Sequence, residues 1–383
     1  MSSHYRLAIG LFLFSFACGS TIEADRVSQT LQGRGSDSNT ATGCSDLVKH
    51  QRGNIVVLPN GSDDTANLQC ALSNAGEKTV RLRADRYRLS TVVATNFRGR
   101  LEGAGRESTI LTNISRPVFV TPNFIDNGPS ETNPWASMLA FVGGSFTISD
   151  LSISITGTAP TTGWTALGLG PIYAYAHGIV ILGDNVARTA DAVIERVGMQ
   201  AEDAPADLFG VNLVNGVFYE GFIGPEYLPI GGSFTVRDSA FRRVASPTPV
   251  FNASGTAVEI ENNLMEGGLL GGELYGGLGG SSYKFVNNEV HATLAGFDLY
   301  DACTASTSLC AVSNSTVRIA DNQFFDQGIV IEGTLGSNVK CRIDDNEFQH
   351  VQLQLYLGPA THDCVARDIN SYVDLGKNNH VTR

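Results

Sequence analysis

Two carboxylates in the C-terminal half of the sequence have a spacing that could support chemistry. Glu273 lies in the segment GELY, and Asp298 lies in the segment FDLYD, 25 residues later. If each segment is a strand whose leucine points inward, both carboxylates point outward from neighbouring strands, about 4.8 Å apart. Two such charges repel each other by about 1 kcal/mol in water and by about 3–4 kcal/mol near a protein surface. The pair therefore needs a physical reason to persist.

Three explanations of the pair stay open. A bound Ca²⁺ would offset the repulsion, because carboxylate oxygens are its ligands, and Asp301 would join Glu273 and Asp298 around the ion. A shared proton would raise one pKa and produce an acid/base pair, with Glu332 as a third catalytic carboxylate nearby. A separation of about 5 Å also suits the two carboxylates of a retaining glycosidase. In the third explanation, both side chains simply extend into water.

Tyrosines accompany the carboxylates in the same alternation. The inward anchors of four strands would be Leu274, Leu299, Ile331 and Leu355. The outward column that follows these anchors reads Tyr275, Tyr300, Glu332 and Tyr356. We predict the three tyrosines as substrate-binding residues that stack on sugar rings, with a plain packing ladder as the alternative.

The strands that position these residues belong to a repeat. Six segments between residues 234 and 372 line up: FTVRDSAF, VEIENNLM, YKFVNNEV, VRIADNQF, CRIDDNEF and VARDINSY. Their last residues are 24, 25, 34, 24 and 24 residues apart. Mostly apolar first, third and eighth positions with polar residues between them indicate strands. Repetition at this period is typical of a solenoid, in which each unit buries its apolar face by stacking on its neighbours.

The sixth position of the last five segments is always asparagine: Asn263, Asn288, Asn322, Asn346 and Asn370. Asparagine tolerates left-handed backbone conformations, and its amide bonds to other amides. We therefore predict an asparagine ladder at the turn between two strands of each rung. Equivalent strands of successive rungs should pair in parallel, with right-handed connections. The predicted fold is an all-β, single-stranded right-handed parallel β-helix.

Composition suits this fold and limits the partners of the protein. The 42 glycines and the low charged fraction of 17% are typical of many short strands joined by tight turns. A net charge of −12 argues against nucleic acid as a partner. Between Lys78 and Arg106, however, eight basic residues stand against Asp85 and Glu102. This segment is either a solvated strand face or a docking patch for an anionic glycan or lipid head group.

The N-terminus has the pattern of an export signal. In residues 1–19, Arg6 precedes the apolar run LAIGLFLFSFA, and small residues follow. The run is too short to span a membrane. The residues around Cys18 fit either an ordinary cleavage site or a bacterial lipobox, in which Cys18 becomes the lipidated N-terminus. We expect a secreted or cell-envelope protein that reaches the membrane only through a lipid on Cys18.

Cysteine parity agrees with export. Without Cys18, six cysteines remain, and an even number in an exported chain indicates disulfides. The pairs that spacing favours are Cys44–Cys70, Cys303–Cys310 and Cys341–Cys364. The last pair is 23 residues apart, nearly one rung. No cysteines and histidines have zinc-site spacing.

One short helix is predicted near the start of the fold. The segment SDDTANLQCALSNAG (62–76) has Asp63 or Asp64 at its N-cap and an apolar face, so it would cover the open first rung. With VRLRADRYRLS (80–90) and LEGAGRESTIL (101–111) after it, the sequence resembles the secreted pectate-lyase-like right-handed β-helix superfamily over roughly residues 54–383. The resemblance implies the fold, an exported location and frequent action on polysaccharides, but no single reaction.

We divide the chain accordingly into a signal peptide (1–19), a flexible polar tether (20–43), an N-terminal cap with the helix (44–78) and the parallel β-helix (79–383). Three long loops are predicted to interrupt the β-helix at 113–137, 156–177 and 200–232. Their aromatic residues argue against disorder, and such loops are often functional. We expect them to wall a groove on one flank of a monomer.

Two functions compete at this point. The first is a carbohydrate-active enzyme, a polysaccharide lyase or glycoside hydrolase, with a polysaccharide as partner and Glu273, Asp298 and Glu332 as catalytic residues. The alternative is a non-catalytic cell-envelope β-helix that binds glycans or mediates adhesion, because the signatures of the best-marked β-helix enzymes are missing from the sequence.

A lyase would also need an arginine or lysine as its base. Lys284, Arg318 and Arg342 form a basic column, but on the other strand of the rung, where they should not reach Glu273. Four further candidates have no predicted position: Arg242, Arg243, His177 and His291. Each histidine is expected to be a turn residue rather than a base.

Overall fold

The computed structural model describes residues 43–114, 137–156, 176–183, 188–202, 214–221, 230–251, 253–275, 279–300, 313–332 and 338–383. These residues form one helix, α1 (Thr65–Ala75), and two large sheets. The first sheet contains β1 (Val48–Gln51), β2 (Asn54–Val57), β3 (Thr79–Leu82), β6 (Arg100–Glu102), β9 (Ser145–Ser149), β12 (Thr189–Glu195), β15 (Ile230–Arg237), β18 (Ala253–Glu261), β20 (Ser282–Val286), β22 (Thr316–Ala320), β25 (Lys340–Asp344), β28 (Cys364–Ala366) and β30 (His380–Val381).

The second sheet has two limbs, since each rung crosses it twice. The first limb contains β4 (Asp85–Leu89), β7 (Thr109–Asn113), β10 (Ser152–Thr156), β13 (Gly198–Glu202), β16 (Ala240–Arg242), the first halves of β19 (Leu264–Tyr275) and β21 (Glu289–Tyr300), β23 (Gln323–Phe325) and β26 (Glu347–Gln349). The second limb contains β5 (Val92–Thr95), β8 (Ser137–Val142), β11 (Ala176–Leu182), β14 (Val214–Glu220), β17 (Thr248–Phe251), the second halves of β19 and β21, β24 (Ile329–Ile331), β27 (Leu355–Leu357) and β29 (Tyr372–Asp374).

Parallel pairing between successive rungs builds the whole structure. Apart from β1 and β2, which are antiparallel, the named strands pair in parallel with the equivalent strands of the next rung. Parallel connections of this kind are right-handed. The predicted right-handed parallel β-helix with a short capping helix is confirmed.

The core is one continuous column of apolar side chains. Strand alternation sends every second residue inward, and the register then stacks those residues on one another. In the first sheet this gives the fully buried stack Val80, Leu101, Ile148, Ile194, Val236, Ile260, Phe285, Ile319, Ile343 and Ala366. Each rung depends on its neighbours for burial, as the repeat predicts.

The asparagine ladder forms at the turn after the first sheet. The side-chain amide of Asn263 donates to Asn288 at 3.0 Å, Asn288 donates to Asn322 at 3.1 Å, and Asn322 donates to Asn346 at 3.0 Å. These four residues are buried. The ladder therefore satisfies polar groups that the turn places inside the protein.

The prediction that Asn370 is the fifth member of the ladder is wrong. Cys341 pairs with Cys364, so the rung below Asn346 places Ile369 at the ladder position. Ile369 is fully buried, whereas Asn370 is exposed. The last repeat is one residue shorter than its alignment with the others suggests.

Helix α1 covers the N-terminal end of the solenoid. Leu68, Ala71, Leu72 and Ala75 are buried, as predicted, and the helix packs against β1, β2, β3 and β5. The N-cap is Asp64, whose buried carboxylate accepts hydrogen bonds from the backbone N–H of Asn60 at 2.7 Å and of Arg88 at 3.0 Å. The cap thus ties the helix to the edge of β4.

Two predicted disulfides are present. Cys44 bonds to Cys70, and Cys341 on β25 bonds to its register partner Cys364 on β28. Cys303 and Cys310 lie outside the described residues. Disulfides persist in oxidising compartments, which agrees with an exported protein.

The prediction of one uninterrupted loop over residues 200–232 is wrong. Strand β14 lies inside it, pairs with β11 and β17, and continues the second limb. Val217 and Tyr219 are buried in the core, so the segment alternates as a strand does. The signal peptide, nearly all of the tether and most of the other two predicted loops lie outside the described residues. Helix α1, the single helix of the described residues, is too short and too polar to cross a membrane.

Candidate active site on the second limb

The predicted carboxylate pair lies on the outer face of the second limb. Glu273 on β19 and Asp298 on β21 are register partners, so the predicted adjacency is confirmed. The following residues, Leu274 and Leu299, are paired and buried in the core. Strand alternation therefore directs Glu273 and Asp298 outward from adjacent rungs, whose strands are about 4.8 Å apart.

Burial changes the chemistry of this pair. Glu273 is only 7% exposed. Asp298 as a whole is partly exposed, but its Oδ1 is buried and accepts no hydrogen bond from the described residues. Burial, and then the charges of Glu273 and Glu332, raise the pKa of Asp298 well above its ordinary value. The raised pKa favours the protonated form of the Asp298 carboxyl, which can donate its proton.

Glu332 flanks the pair on the next rung. Its backbone N–H donates to the carbonyl of Leu299 at 2.7 Å, which places Glu332 beside Tyr300, as predicted. Burial raises the pKa of the Glu332 carboxyl. When Glu332 is ionised, its negative charge raises the pKa of Asp298.

The predicted tyrosine column is only partly correct. Tyr275 and Tyr300 are register partners, as expected. Tyr356 pairs instead with Val330, because Ile331 pairs with Leu357 and not with Leu355. Tyr356 thus continues the column of Glu273 and Asp298. The expected register was two residues off because Leu355 and Leu357 in the segment LQLYL both satisfy the alternation.

A third buried carboxyl, Glu220 on β14, was not predicted. It lies between Leu182 and Phe251 in the register and is 3% exposed. Within the part of the chain that the structure describes, its Oε2 accepts no hydrogen bond, and burial raises its pKa well above the ordinary value. The signal that could have found it is the alternation of GVFYE, which places Glu220 outward once Val217 and Tyr219 are recognised as inward.

Apolar side chains surround Glu220 on this face. The outer face upstream of the carboxylate pair carries a buried cluster that consists of Val142, Val180, Leu182, Phe218 and Phe251. Outward residues of a solenoid normally meet water, so a buried apolar outer face is a departure from the simple pattern. The low polarity of this face explains why its carboxyls favour their neutral forms.

The two histidines lie away from the pair. His177 on β11 is buried and stacks on Phe218 with ring centroids 5.1 Å apart, and burial lowers its pKa to about 3. His291 lies on the first limb, where its Nε2 is 2.9 Å from Glu289. His177 lies on an earlier rung of the second limb, and His291 lies on the first limb. Neither histidine therefore serves as a proton partner of Asp298.

The basic residues also lie on other faces. The predicted column of Lys284, Arg318 and Arg342 is present on the first sheet, where its members form ion pairs with Glu259, Asp321 and Asp344. Arg242 lies on the first limb and pairs with Glu266 at 2.9 Å. In the described strands of the second limb, no position is lysine or arginine.

The basic segment near the N-terminus is partly neutralised. Arg81 pairs with Glu102 at 3.3 Å, and Arg100 pairs with Glu195 at 2.9 Å. Arg83, Arg86 and Arg88 are exposed. The local excess of positive charge is therefore smaller in space than it is along the sequence.

The described residues do not form a calcium site by themselves. No three histidine, cysteine, aspartate or glutamate side chains among them are grouped so that they could hold a metal ion. Asp301, the third predicted ligand, lies outside the described residues. Calcium takes six to eight oxygens, and a carboxyl that keeps its proton is a poor ligand. The calcium site stays a prediction.

Comparison with known proteins supports the fold. No protein-family model and no curated protein matches the sequence. Among solved structures, the chain is similar to a polygalacturonase from Erwinia carotovora ssp. carotovora, with a TM-score of 0.51 and 11% identity over 86% of this chain and 94% of that one. It also matches the Dettilon tailspike protein, with a TM-score of 0.39 and 12% identity over 85% of this chain and 68% of that one. At such low identity the similarity concerns the fold alone.

Proposed function

We propose that this chain, a right-handed parallel β-helix of the pectate-lyase-like superfamily, is an exported glycoside hydrolase that acts on a polysaccharide. The observation that supports this proposal is the register pairing of Glu273 with Asp298, two adjacent carboxyls of which Asp298 has its pKa raised by burial and by the charges of Glu273 and Glu332. A raised pKa on one of two adjacent carboxyls allows that carboxyl to act as the acid of such a reaction.

In the proposed reaction, Asp298 donates its proton to the oxygen of the scissile glycosidic bond. Glu273, as a carboxylate, attacks the anomeric carbon and forms a covalent glycosyl-enzyme as that bond breaks. Asp298, now ionised, takes a proton from water, which displaces Glu273 and regenerates the acid. The strand spacing of about 4.8 Å is close to the carboxylate separation of retaining enzymes, so we expect retention of configuration.

Neighbouring residues have supporting roles in this proposal. Tyr275 and Tyr300 would stack on sugar rings beside the reacting bond, and Glu332 would help to keep Asp298 protonated. Tyr356 would extend the binding surface along the column of the two carboxylates. The fold shared with a polygalacturonase agrees with a polysaccharide substrate.

A hydrolase fits the second limb better than a lyase does. Elimination requires a base that removes the proton next to a uronate carboxylate, and the described second limb offers no lysine or arginine for this step. Hydrolysis needs only the two carboxyls and water. Export is supported by the two disulfides and by the signal-peptide pattern of residues 1–19.

The test is an assay for new reducing ends and for unsaturated products on a panel of neutral and uronate polysaccharides. Asp298→Asn and Glu273→Gln should each lower kcat by about 10²–10⁴-fold, because each removes one proton-transfer or nucleophilic group. Glu259→Gln, an exposed carboxylate of the first sheet, is the matched control and should keep full activity.

The remaining outcomes separate the other functions. Unsaturated products would indicate a lyase and would contradict the proposal. Binding of glycans without any product would favour the non-catalytic cell-envelope protein. Activity that is lost on chelation and restored by Ca²⁺ would assign Glu273 and Asp298 to a calcium site instead of an acid/base pair.

A further inference from the structure

A buried disulfide attaches the C-terminal rung of the solenoid to the rung before it. Cys341 on β25 and Cys364 on β28 are register partners, and their side chains are only 4% and 0% exposed. Cys341 is in turn the register partner of Val317, a residue of the apolar core. The bond therefore joins the two rungs from inside the core. We call residues 364–383 the terminal rung.

The terminal rung buries few apolar side chains. Cys364, Ala366 and Ile369 are buried, but no residue from 370 to 383 is. Among the described residues, the large hydrophobic side chains that are exposed all belong to this rung: Tyr372 at 43%, Val373 at 38% and Leu375 at 54%. Fixing a segment of this length costs conformational entropy, and burial of so few side chains offsets only part of that cost.

The other contacts of the terminal rung are hydrogen bonds near its surface. Strand β29 pairs with β27, and β30, the edge strand of the first sheet, pairs with β28. Asn379 Oδ1 accepts a hydrogen bond from the backbone N–H of Cys364 at 2.9 Å, and Asn379 Nδ2 donates to Asp374 at 2.8 Å. Segments that are held by exposed hydrogen bonds and few apolar contacts open at a small free-energy cost. The disulfide is therefore the strongest attachment of this rung.

The N-terminal end of the solenoid does not depend on its disulfide in the same way. Helix α1 covers that end and packs through a buried apolar face, which persists when the bond between Cys44 and Cys70 is broken. Both of these cysteines are partly exposed, unlike Cys341 and Cys364. In a solenoid each unit contacts only its neighbours, so an end unit without a helical cap needs another attachment.

We propose that the Cys341–Cys364 disulfide is a redox-sensitive switch that controls whether the terminal rung stays docked on the solenoid. In the oxidised protein the bond keeps residues 364–383 in place. In the reduced protein these residues open and close, while the rungs before them stay folded. This inference does not depend on the reaction proposed for the second limb.

Opening of the rung and thiol–disulfide exchange are coupled. In reduction, a thiolate of an external dithiol attacks one of the two sulfurs, the bond between Cys341 and Cys364 breaks, and the dithiol closes to a disulfide while both cysteines become thiols. The attacking thiolate reaches these buried sulfurs only when the rung opens. In oxidation, an external disulfide forms a mixed disulfide with one cysteine, and docking of the rung brings the second cysteine to expel the external thiol. Oxidation and docking therefore favour each other.

Hydrogen–deuterium exchange of the full chain, measured by mass spectrometry on peptides from residues 365–383, tests the proposal. In Cys341→Ala/Cys364→Ala, exchange in the terminal rung should be about 100-fold faster than in the oxidised wild type, as expected when a disulfide across 23 residues is lost. Residues 282–300, which lie on interior rungs, are the internal reference and should keep their exchange rate. The matched control Cys44→Ala/Cys70→Ala should leave exchange in the terminal rung unchanged.

Reduction of the wild type by dithiothreitol separates the effect of the bond from the packing of the two cysteine side chains. The dithiol should accelerate exchange in the terminal rung of the wild type to a similar extent, and it should have no further effect on this rung in Cys341→Ala/Cys364→Ala. Exchange in residues 365–383 that stays as slow after reduction as before it would overturn the proposal. Equal acceleration in residues 282–300 would also overturn it, because the bond would then stabilise the whole fold rather than the terminal rung.

Discussion

At the scale of single residues, burial decides what each carboxyl of this protein can do. The side chain of Glu259 on the first sheet is 40% exposed and forms an ion pair with Lys284. On the outer face of the second limb, Glu220 and the Oδ1 atom of Asp298 are buried, and burial favours the neutral acid. The same residue type is thus a surface charge on one face and a proton donor on another.

Glu220 should make the stability of the protein depend on pH. Its pKa in the folded state is raised above the ordinary value of 4.5, so its stabilising contribution is present below pH 4.5 and is lost as the pH rises through the folded-state pKa. Glu220→Gln removes this loss. The free energy of unfolding of the variant relative to the wild type should therefore increase with pH, by up to about 1.4 kcal/mol per pH unit. Urea unfolding at several pH values measures this difference.

His177 has the opposite effect on the pH dependence of stability. Its pKa is lowered to about 3, so its contribution is present above its ordinary value of 6.5 and is lost as the pH falls towards 3. The wild-type protein should consequently be most stable in mildly acidic solution.

Glu347→Gln, on an exposed residue, is the control for Glu220→Gln, and its stability relative to the wild type should show no comparable increase with pH. A Glu220→Gln variant whose stability relative to the wild type is the same at every pH would show that the pKa of Glu220 is not raised in the folded protein.

At the scale of the strand, register determines which residues become neighbours. The repeat in the sequence predicts the strands and the pairing of Glu273 with Asp298, because their spacing matches the period of the neighbouring rungs. It misplaces Tyr356 and Asn370, where the sequence allows two alignments. Alternation cannot distinguish Leu355 from Leu357, and only the three-dimensional pairing of Cys341 with Cys364 shows that the last rung is one residue shorter.

The asparagine ladder should be a major source of stability in these turns. Asn322 accepts hydrogen bonds from the backbone and side chain of Asn288 and donates to Phe285 and Asn346. Asn322→Ala leaves several of these buried groups unpaired, and we expect a loss of about 3 kcal/mol in the free energy of unfolding by urea. Asn370→Ala, on the exposed residue that misses the ladder, should change it by less than about 0.5 kcal/mol. Equal effects of both variants would show that the ladder does not stabilise the fold.

At the scale of the whole molecule, one solenoid supports two outer faces of different character. The second limb carries buried carboxyls beside an apolar cluster, whereas the first limb carries the ion pair of Arg242 with Glu266 at its surface. The sequence predicts that both faces exist, because alternation along each rung is visible in it. It does not predict which face is buried, because the buried state of Glu220 and Asp298 depends on how separate parts of the chain pack. Glu220 was missed for a related reason, since its strand lies inside a stretch that is rich in glycine, proline and aromatic residues and therefore reads as a loop.

The most direct test of the catalytic proposal is the protonation state of Asp298. Infrared difference spectroscopy at about neutral pH, wild type minus Asp298→Asn, should show the C=O stretch of a neutral carboxylic acid, because burial and two neighbouring carboxylates raise its pKa. The same band should remain in the Glu220→Gln background, where the other buried acid is removed. If the difference spectrum contains only carboxylate bands, Asp298 is ionised, and the acid/base pair with Glu273 is wrong.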